Sequence, residues 1–244
     1  NFVFDFFSIA MLLNVANGVQ AAVPDYMAPV CAQVEQRVFT PRGSNVVSSG
    51  DALFDAITTT ADLARLQEVI RNQELGAYRG KHGMTALNFS VGTGNWHAVK
   101  VLLDAGADVN QPSRDGTVPF EMAILQGQAD IACQLIAHGA RIPSPVKQYA
   151  HLLPAVAIAP RQSDAIALIK LLLENGYSID ATLAPLEQTA LHVAAEVGAP
   201  DLVRFLLSQH ADPTIRDAKG MTPFDVAKAL GHTDTAQLLR SAKV

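Results

Sequence analysis

The chain has 244 residues, of which 49% are hydrophobic, so it can bury a continuous core and is not expected to be disordered. Its 18 Lys and Arg residues are outnumbered by 23 Asp and Glu residues, which gives a net charge of -5. A basic face able to neutralise phosphates is therefore not expected, and nucleic acid is excluded as a predicted partner. Aromatic residues make up only 6% while Ala and Leu recur, which favours an all-α fold of closely packed helices.

Residues 1–21 have the pattern of a leader peptide or of an apolar helix. The stretch from Phe2 to Leu13 is apolar except for Asp5, and about a dozen residues is too short for a bilayer span, which takes roughly 20. Val19-Gln20-Ala21 supplies the small residues that a signal peptidase site requires. We predict a periplasmic or secreted protein. Because no Lys or Arg precedes Arg37, a retained helix that packs on the chain, on a partner or on a membrane stays as the alternative.

A short pattern recurs through most of the remaining chain. Copies of it begin a helical segment after Gly83, Gly116, Gln188 and Gly220. Each copy ends in an apolar pair and a small turn, and the turn positions are 73, 106, 139, 176, 210 and 242. The spacings are 33, 33, 37, 34 and 32 residues, and a fixed period of this length indicates a solenoid of stacked repeats.

Two motifs identify the repeat. The segment Thr189–Ala195 resembles the Thr-Pro-Leu-His-x-Ala signature of the ankyrin family, and Gly106–Asn110 resembles its Gly-Ala-Asp-Val-Asn turn. The resemblance covers residues 51–242 and implies an ankyrin-repeat domain of about six helix-turn-helix copies in residues 51–244. Residues 22–50 lack the period and are predicted to form an extended N-terminal arm.

The residue types also predict the helix boundaries. A Thr at the start of each first helix is a good N-cap, and Pro119 and Pro223 follow where the first turn needs no amide donor. Gly106, Gly139 and Gly176 come just after the second helices, where a left-handed residue ends a helix without steric cost.

The fourth copy, at about 147–180, departs from the pattern. Pro154 and Pro160 are expected to interrupt its first helix, and its spacing is stretched to 37 residues. Stacked copies are expected to bury one continuous core. Its predicted members are Leu102, Leu103, Leu135, Ile136, Leu172, Leu173, Leu206 and Leu207.

The resemblance implies where a partner binds, because family members grip proteins with a concave surface of loop fingers and first helices. The fingers are residues 78–82, 111–115, 142–148, 181–187 and 215–219. Arg pairs with carboxylates and exposed Leu at loop tips marks contacts, so a mixed polar and apolar grip is predicted, with solvated loop charges as the alternative. The candidate residues are Arg79, Lys81, His82, Arg114, Asp115, Leu183, Leu186, Arg216, Asp217 and Lys219.

Trp96, the only tryptophan, is placed between the two helices of the second copy. It is either a further partner-binding residue, since Trp is enriched at binding hot spots, or a local plug over the Gly92-Thr93-Gly94 turn. His192 is expected to be architectural, because in the family this position hydrogen-bonds the backbone of the neighbouring finger.

The two cysteines raise a further hypothesis. Cys133 shares a column of the second helices with Lys100, Lys170 and Arg204, so it is expected to face solvent on the outer side. In an oxidising compartment a disulfide from Cys31 would staple the arm across this side. Two unpaired thiols are the alternative.

No catalytic motif is found, so an enzyme is not predicted. Gly92-Thr93-Gly94 lacks the third glycine of a dinucleotide loop, and His82 stands where a phosphate loop has Ser or Thr. Metal-binding motifs and clustered Cys and His are absent from the sequence, so neither metal nor cofactor is predicted. We predict an exported module that binds and inhibits or sequesters another protein, such as a toxin or enzyme. A membrane-associated adapter or an accessory subunit that recruits a client enzyme is the alternative.

Overall fold

The computed structural model describes residues 23–32, 52–59, 63–71, 80, 83–143, 148–159 and 161–242. The regular structure of these residues is almost entirely helical. A 3-10 helix, Asp25–Met27, and a short helix α1, Ala28–Cys31, come first. Six helix pairs follow, and between the fourth and fifth pairs lies an antiparallel hairpin of β1, Thr182–Leu183, and β2, Gln188–Thr189.

The six pairs form repeats R1 to R6. The first helices are α2 (Ala52–Thr59), α4 (Ala86–Thr93), α6 (Pro119–Leu125), α8 (Leu152–Val156), α10 (Ala190–Glu196) and α12 (Pro223–Ala229). The second helices are α3 (Leu63–Arg71), α5 (Trp96–Asp104), α7 (Ala129–Ala137), α9 (Gln162–Glu174), α11 (Pro200–Ser208) and α13 (Thr233–Ser241). Each first helix packs on the first helix of the next repeat, and the second helices do the same, least closely between R2 and R3. The predicted all-α solenoid of six helix-turn-helix repeats is confirmed.

The first helices begin largely as predicted. The hydroxyls of Thr85, Thr189 and Thr222 each accept a hydrogen bond from the backbone N–H three residues later, at 3.0, 3.4 and 3.3 Å. In R3 the prediction is wrong, because the N-cap is Val118 and provides no side-chain bond. Thr117 lies one residue too early to cap that helix and belongs to the finger instead.

The predicted prolines and glycines lie where the helices begin and end. Pro119 and Pro223 are the first residues of α6 and α12. Gly106, Gly139 and Gly176 follow second helices with φ of 84°, 89° and 83°, which is the left-handed region that glycine adopts without strain. The repeat boundaries are therefore encoded locally.

The core runs through all six repeats. Leu102, Leu135, Leu172 and Leu206 are each 0% exposed, and the predicted partner of each in the apolar pair packs against the same cluster. A stack of this kind shares its apolar burial between neighbours, since one thin helix pair cannot enclose a core.

R4 was expected to have its first helix interrupted by Pro154 and Pro160, of which Pro160 lies outside the described residues. Pro154 does not interrupt α8, because it lies in the first helical turn, where no amide donor is needed. The spacing of 37 between R3 and R4 aligns Cys133 with Lys170, so α9 begins one turn earlier than α7 does. The stretched spacing is thus an additional N-terminal turn of the second helix, Gln162–Ala165, rather than an enlarged loop.

The described part of the arm is helical, not extended as predicted. Pro24 precedes the 3-10 helix and Pro29 lies in the first turn of α1, positions that suit proline. Met27 and Val30 are buried against the second helices of R3 and R4. The leader predicted for residues 1–21 lies outside the described residues. Of the helices that are described, none has both the length and the apolar character of a membrane span.

Candidate partner-binding surface

Three of the fingers share one backbone geometry. Each is closed by a hydrogen bond from a backbone N–H to the carbonyl four residues later: Gly80 to Met84, Ser113 to Thr117 and Asp217 to Met221, at 3.1, 2.9 and 2.9 Å. The finger at 181–187 lies in the hairpin of β1 and β2 instead. The carboxylate of Asp115 accepts a 3.0 Å bond from the Thr117 N–H across the turn. These three fingers are therefore held by main-chain bonds.

Neighbouring fingers are tied to one another. The Arg114 N–H donates to the Gly83 carbonyl, and the Ala218 N–H donates to the Leu186 carbonyl, both at 2.9 Å. Lower down, the Asp180 carboxylate accepts a 2.9 Å bond from the Asp212 N–H. In these two places the position of a finger therefore depends on the neighbouring repeat.

In R2 and R5 a buried side chain of the first helix supports the following finger by hydrogen bonds. His192, which is 0% exposed, contacts the Met221 carbonyl through Nε2 at 3.0 Å and the Thr189 N–H through Nδ1 at 3.3 Å. Because a carbonyl only accepts, Nε2 carries the proton, and burial lowers the pKa of His192. The predicted architectural role of His192 is confirmed. Asn88 does the same in R2, donating to Ser113 Oγ and the Thr117 carbonyl at 2.6 and 2.8 Å.

R3 has a carboxylate in the same column. Glu121 is nearly buried, and its Oε1 lies 3.5 Å from Nε2 of His151. Burial raises the pKa of Glu121, and His151 offsets part of that effect. The column therefore links R3 to R4 by a polar contact rather than by the bond to a finger carbonyl seen in R2 and R5.

The predicted contact residues of the fingers divide into four groups. Arg79, Lys81 and His82 lie outside the described residues. Asp217 is buried, and its carboxylate accepts bonds from the Lys219 and Met221 N–H groups at 2.9 Å, so it serves the turn rather than facing a partner as predicted. Leu183 is half-buried in β1. The exposed predicted residues are Arg114, Asp115, Leu186, Arg216 and Lys219.

Trp96 does not belong to this surface, contrary to its inclusion among the partner-binding residues. It is the first residue of α5, half-buried, with its ring centroid 3.9 Å from that of His97. It lines a pocket of about 80 Å³ between the second helices of R2 and R3, with Leu103 and Ile131 among the other lining residues. The pocket lies on the second-helix face, where these two repeats pack least closely.

The sequence analysis missed a row of exposed apolar side chains. Within the described residues, five large hydrophobic side chains are more than 40% exposed, and four of them lie at the C-terminal ends of the first helices of R3 to R6 or within two residues after them. These four, which we name the apolar ridge, are Leu125, Ile158, Val197 and Leu230, at 42%, 55%, 52% and 54% exposure. The ridge therefore lies at the ends of the first helices that are opposite to the fingers, since the fingers precede the N-terminal ends.

The arm covers the opposite face. Lys100, Lys170 and Arg204 are exposed as the column predicts, but Cys133 is 0% exposed, so the expectation that it faces solvent is wrong. It is buried because α1 lies over it: Cys31 and Cys133 are joined as a disulfide with their Cα atoms 5.4 Å apart. The described part of the arm, residues 23–32, therefore lies on the second-helix face of R3 and R4 and not on the finger side.

The chemistry of the described surface is that of recognition. Among the residues that the structure describes, no group of three His, Cys, Asp or Glu side chains is arranged to hold a metal ion. The fingers present Arg and Lys donors beside exposed Leu186, and the apolar ridge lies one helix length away. A stack of paired helices with a row of fingers defines a helical-repeat binding protein.

Sequence comparison gives the family. The sequence model described as "Ankyrin repeats (3 copies)" matches residues 53–145 and 156–244. The chain belongs to the ankyrin-repeat family, whose repeats are protein-protein interaction modules, and it is such a module.

Curated relatives share only part of the chain. A 64-residue segment is 44% identical to the BTB/POZ domain and ankyrin repeat-containing protein NOOT2 of Medicago truncatula and 42% identical to the regulatory protein NPR6 of Arabidopsis thaliana. The segment is 26% of this chain but 13% and 14% of those proteins. The match therefore concerns the repeats and not the relatives as wholes.

Solved structures match over most of the chain. A chain in the structure of the Bd0816 predatory endopeptidase from Bdellovibrio bacteriovorus in complex with immunity protein Bd3460 is 25% identical, with a TM-score of 0.61. The match covers 80% of this chain and 99% of that chain. The ankyrin repeat protein EF0377 is 28% identical, with a TM-score of 0.57 and coverage of 80% and 98%. The ankyrin repeat domain of Bcl-3, at 21% identity and a TM-score of 0.55, shares the fold.

Proposed function

We propose that this protein is an exported, immunity-type binding protein that holds and inhibits a toxic enzyme with its fingers and first helices. The proposal rests on the difference between the two faces of the solenoid. The arm and its disulfide cover the second-helix face, whereas the finger side presents exposed cations and apolar side chains.

Two further features support an oxidising compartment and an inhibitory role. Disulfides persist in secreted and periplasmic proteins and are rare in the cytosol, and the sequence of residues 1–21 is typical of a leader. The matched structure that contains the Bd0816 endopeptidase is a complex with an immunity protein. Inhibition of an enzyme is therefore the role that best joins the exposed grip to an extracytoplasmic setting.

The test begins with the native host. The chain is tagged at its C-terminus, the extracytoplasmic fraction is captured, and mass spectrometry identifies both the mature N-terminus of the chain and its partner. We expect a mature chain that begins at Ala22 and a co-purifying enzyme whose activity falls as purified chain is added in stoichiometric amounts.

Charge reversal then locates the grip. Arg114→Glu combined with Arg216→Glu is expected to weaken partner binding at least tenfold, because both side chains are exposed on fingers. Lys100→Glu combined with Arg204→Glu, on the second-helix face, is the matched control and is expected to bind as the wild type does. A partner that remains fully active at saturating chain would instead identify an adapter.

A further inference from the structure

We propose that residues 23–32, which we name the strap, form a redox-controlled clamp on the second helix of R3. A dithiol that reduces the Cys31–Cys133 disulfide releases the strap and loosens α7, while the other repeats stay folded. The inference concerns the second-helix face and does not depend on the proposed function of the finger side.

Helix α7 is the second helix that its neighbours support least. Among the described second helices it packs least on those of the adjacent repeats, and its contact with α5 is the weakest of all. A pocket of about 80 Å³ lies between these two helices, with Leu103 and Ile131 in its lining. Because each repeat of a solenoid is stabilised through its interfaces with its neighbours, the layer of second helices is weakest at R3.

The strap supplies support that the adjacent repeats do not. Helix α1 packs more closely on α7 than either neighbouring second helix does. Met27 and Val30 of the strap are 0% and 3% exposed, and Cys31 is bonded to Cys133, which lies in the middle of α7. The strap therefore takes the place of a closely packed neighbour for α7.

The disulfide decides whether the strap stays in place. Its strongest other contacts are the burial of two apolar side chains and the 2.6 Å bond from Tyr26 to Glu174 of α9. Fixing ten residues costs conformational entropy at every one of them, and a cross-link reduces that cost because it holds the strap beside α7. Without the cross-link these few contacts do not offset the cost, so the strap leaves the surface.

The release is a thiol–disulfide exchange with an external dithiol, such as that of a two-cysteine oxidoreductase. A thiolate of the dithiol attacks the sulfur of Cys31, which is half-buried, whereas Cys133 is 0% exposed. The disulfide bond breaks, and the Cys133 sulfur leaves as a thiolate and takes up a proton. The second thiol of the dithiol loses its proton and attacks the dithiol's own sulfur in the mixed disulfide, which frees Cys31 as a thiolate that is then protonated. Two electrons and two protons pass to the protein, and the dithiol becomes a disulfide.

The clamp links the order of R3 to the compartment. Disulfides persist in oxidising compartments and are rare in the cytosol, so the packing of α7 is complete only where the bond between Cys31 and Cys133 can form. R5 needs no such device, because α11 packs on the second helices of both neighbouring repeats and Leu206 is 0% exposed without a strap.

Hydrogen exchange of the full chain, measured by mass spectrometry, tests the clamp. The oxidised protein is compared with protein treated with excess dithiothreitol, and thiol titration verifies no free thiol before the treatment and two after it. Amides of residues 23–32 and of α7 are expected to exchange at least tenfold faster in the reduced chain. Amides of α11 are the internal control and are expected to stay within twofold.

Two variants separate the packing of the strap from the covalent bond. Val30→Asp keeps both cysteines but places a charge in the buried contact, so α7 should exchange at least tenfold faster even in the oxidised chain. Ala28→Asp is the matched control, because it adds the same charge at an exposed position of the same helix. Its exchange in α7 should stay within twofold of the wild type.

Four results would overturn the inference. They are a strap that stays protected in the reduced chain, an α7 whose exchange reduction leaves unchanged, a loss of protection that is as large in α11 as in α7, and a disulfide that excess dithiothreitol leaves intact in the folded chain. Equal exchange in the Val30 and Ala28 variants would show that the strap does not support α7 by packing. Each of these results leaves the proposed binding of an enzyme by the finger side to its own test.

Discussion

The phenolic oxygen of Tyr26 donates a 2.6 Å hydrogen bond to Oε2 of Glu174, which ties the arm to the second helix of R4. The Lys170 ammonium lies 4.0 Å from the centre of the same ring, within the range of a cation-π contact. One aromatic side chain therefore joins a segment outside the repeats to the repeat that departs most from the family pattern.

Tyr26→Phe tests this tie. The variant keeps the ring under Lys170 and removes only the bond to Glu174, so the free energy of unfolding is expected to fall by about 0.5–1.5 kcal/mol in a denaturant titration. Burial, and then Glu174, raises the pKa of Tyr26. An acid whose pKa is raised on folding stabilises the fold below its unfolded pKa of about 10 and loses that effect as the pH rises further. The loss of stability above about pH 10 should be smaller in the Phe variant. The same loss in both proteins would show that Tyr26 does not cause it.

The disulfide gives a second prediction. Cys31 and Cys133 are 102 residues apart in sequence, and cross-linking a loop of that size stabilises a fold by up to about 4–5 kcal/mol. Protein isolated from its native host should titrate no free thiol when denatured without reductant, and reductant should lower its denaturation midpoint. A Cys31→Ser, Cys133→Ser double variant should be insensitive to reductant. Two titratable thiols in the native protein would refute the disulfide between Cys31 and Cys133.

The stability of R5 should depend on pH through His192. Burial lowers its pKa below the ordinary 6.5, so at pH values below about 6.5 the unfolded chain binds more protons than the folded chain does. The contribution of His192 to the free energy of unfolding is therefore complete above about pH 6.5 and is lost as the pH falls below that value. His192→Leu should cost about 0.5–1.5 kcal/mol at neutral pH, because the bond to the Met221 carbonyl is lost and that carbonyl keeps only the Asp217 N–H, and should flatten the acid dependence.

His97 provides the control for that experiment. Burial, then Lys100, lowers the pKa of His97 as well, so it contributes to the acid dependence in the same direction. His97→Gln should leave the part that belongs to His192. If both variants follow the wild-type curve from about pH 7 to pH 5, neither histidine carries the effect.

A pair of glycine substitutions separates backbone strain from steric clash. Gly106 has a φ of 84° and open space where a Cβ would be, so Gly106→Ala should cost about 1–2 kcal/mol from the left-handed conformation alone. Gly198 has a φ of 68°, and its Cβ would lie 2.5 Å from Nδ1 of His232, whose Nε2 contacts the Glu196 carbonyl at 3.0 Å. Gly198→Ala should cost about 1–3 kcal/mol more in thermal or urea unfolding. Equal costs would show that the imidazole moves freely.

The sequence was sufficient for the repeats because their boundaries depend on local chemistry. Positive φ at Gly106, the N-cap at Thr189 and the first-turn Pro223 act within a few residues of themselves. The same rule explains the error in R3: Thr117 looks like a cap, but its N–H bonds to Asp115 and its carbonyl to Ser113. A difference of one residue in position therefore decides whether Thr117 caps the helix or belongs to the finger.

Features that depend on stacking were not accessible from the sequence. Leu125 and Val197 have the residue types of a helix core, but at the C-terminal ends of their helices they are 42% and 52% exposed. The helical form of the arm could not be predicted from the sequence either. Met27 and Val30 are buried by contacts with distant repeats, and the arm has no hydrophobic period of its own. Asp217 was wrongly predicted to contact a partner, because its burial depends on the geometry of the finger, which the sequence does not show.

The additional turn of α9 leads to a last prediction. Oε1 of Gln162 accepts bonds from the Asp201 and Leu202 N–H groups at 2.9 and 3.1 Å, which are amides that the first turn of α11 leaves without helical partners. The turn therefore caps the next repeat from outside. Gln162→Ala should lower the free energy of unfolding by about 0.5–2 kcal/mol and increase hydrogen exchange in α11. Gln162→Glu keeps an acceptor and adds a charge that the helix N-terminus favours, so it should retain most of the stability. Equal losses in both variants would show that the bond to Gln162 does not cap α11.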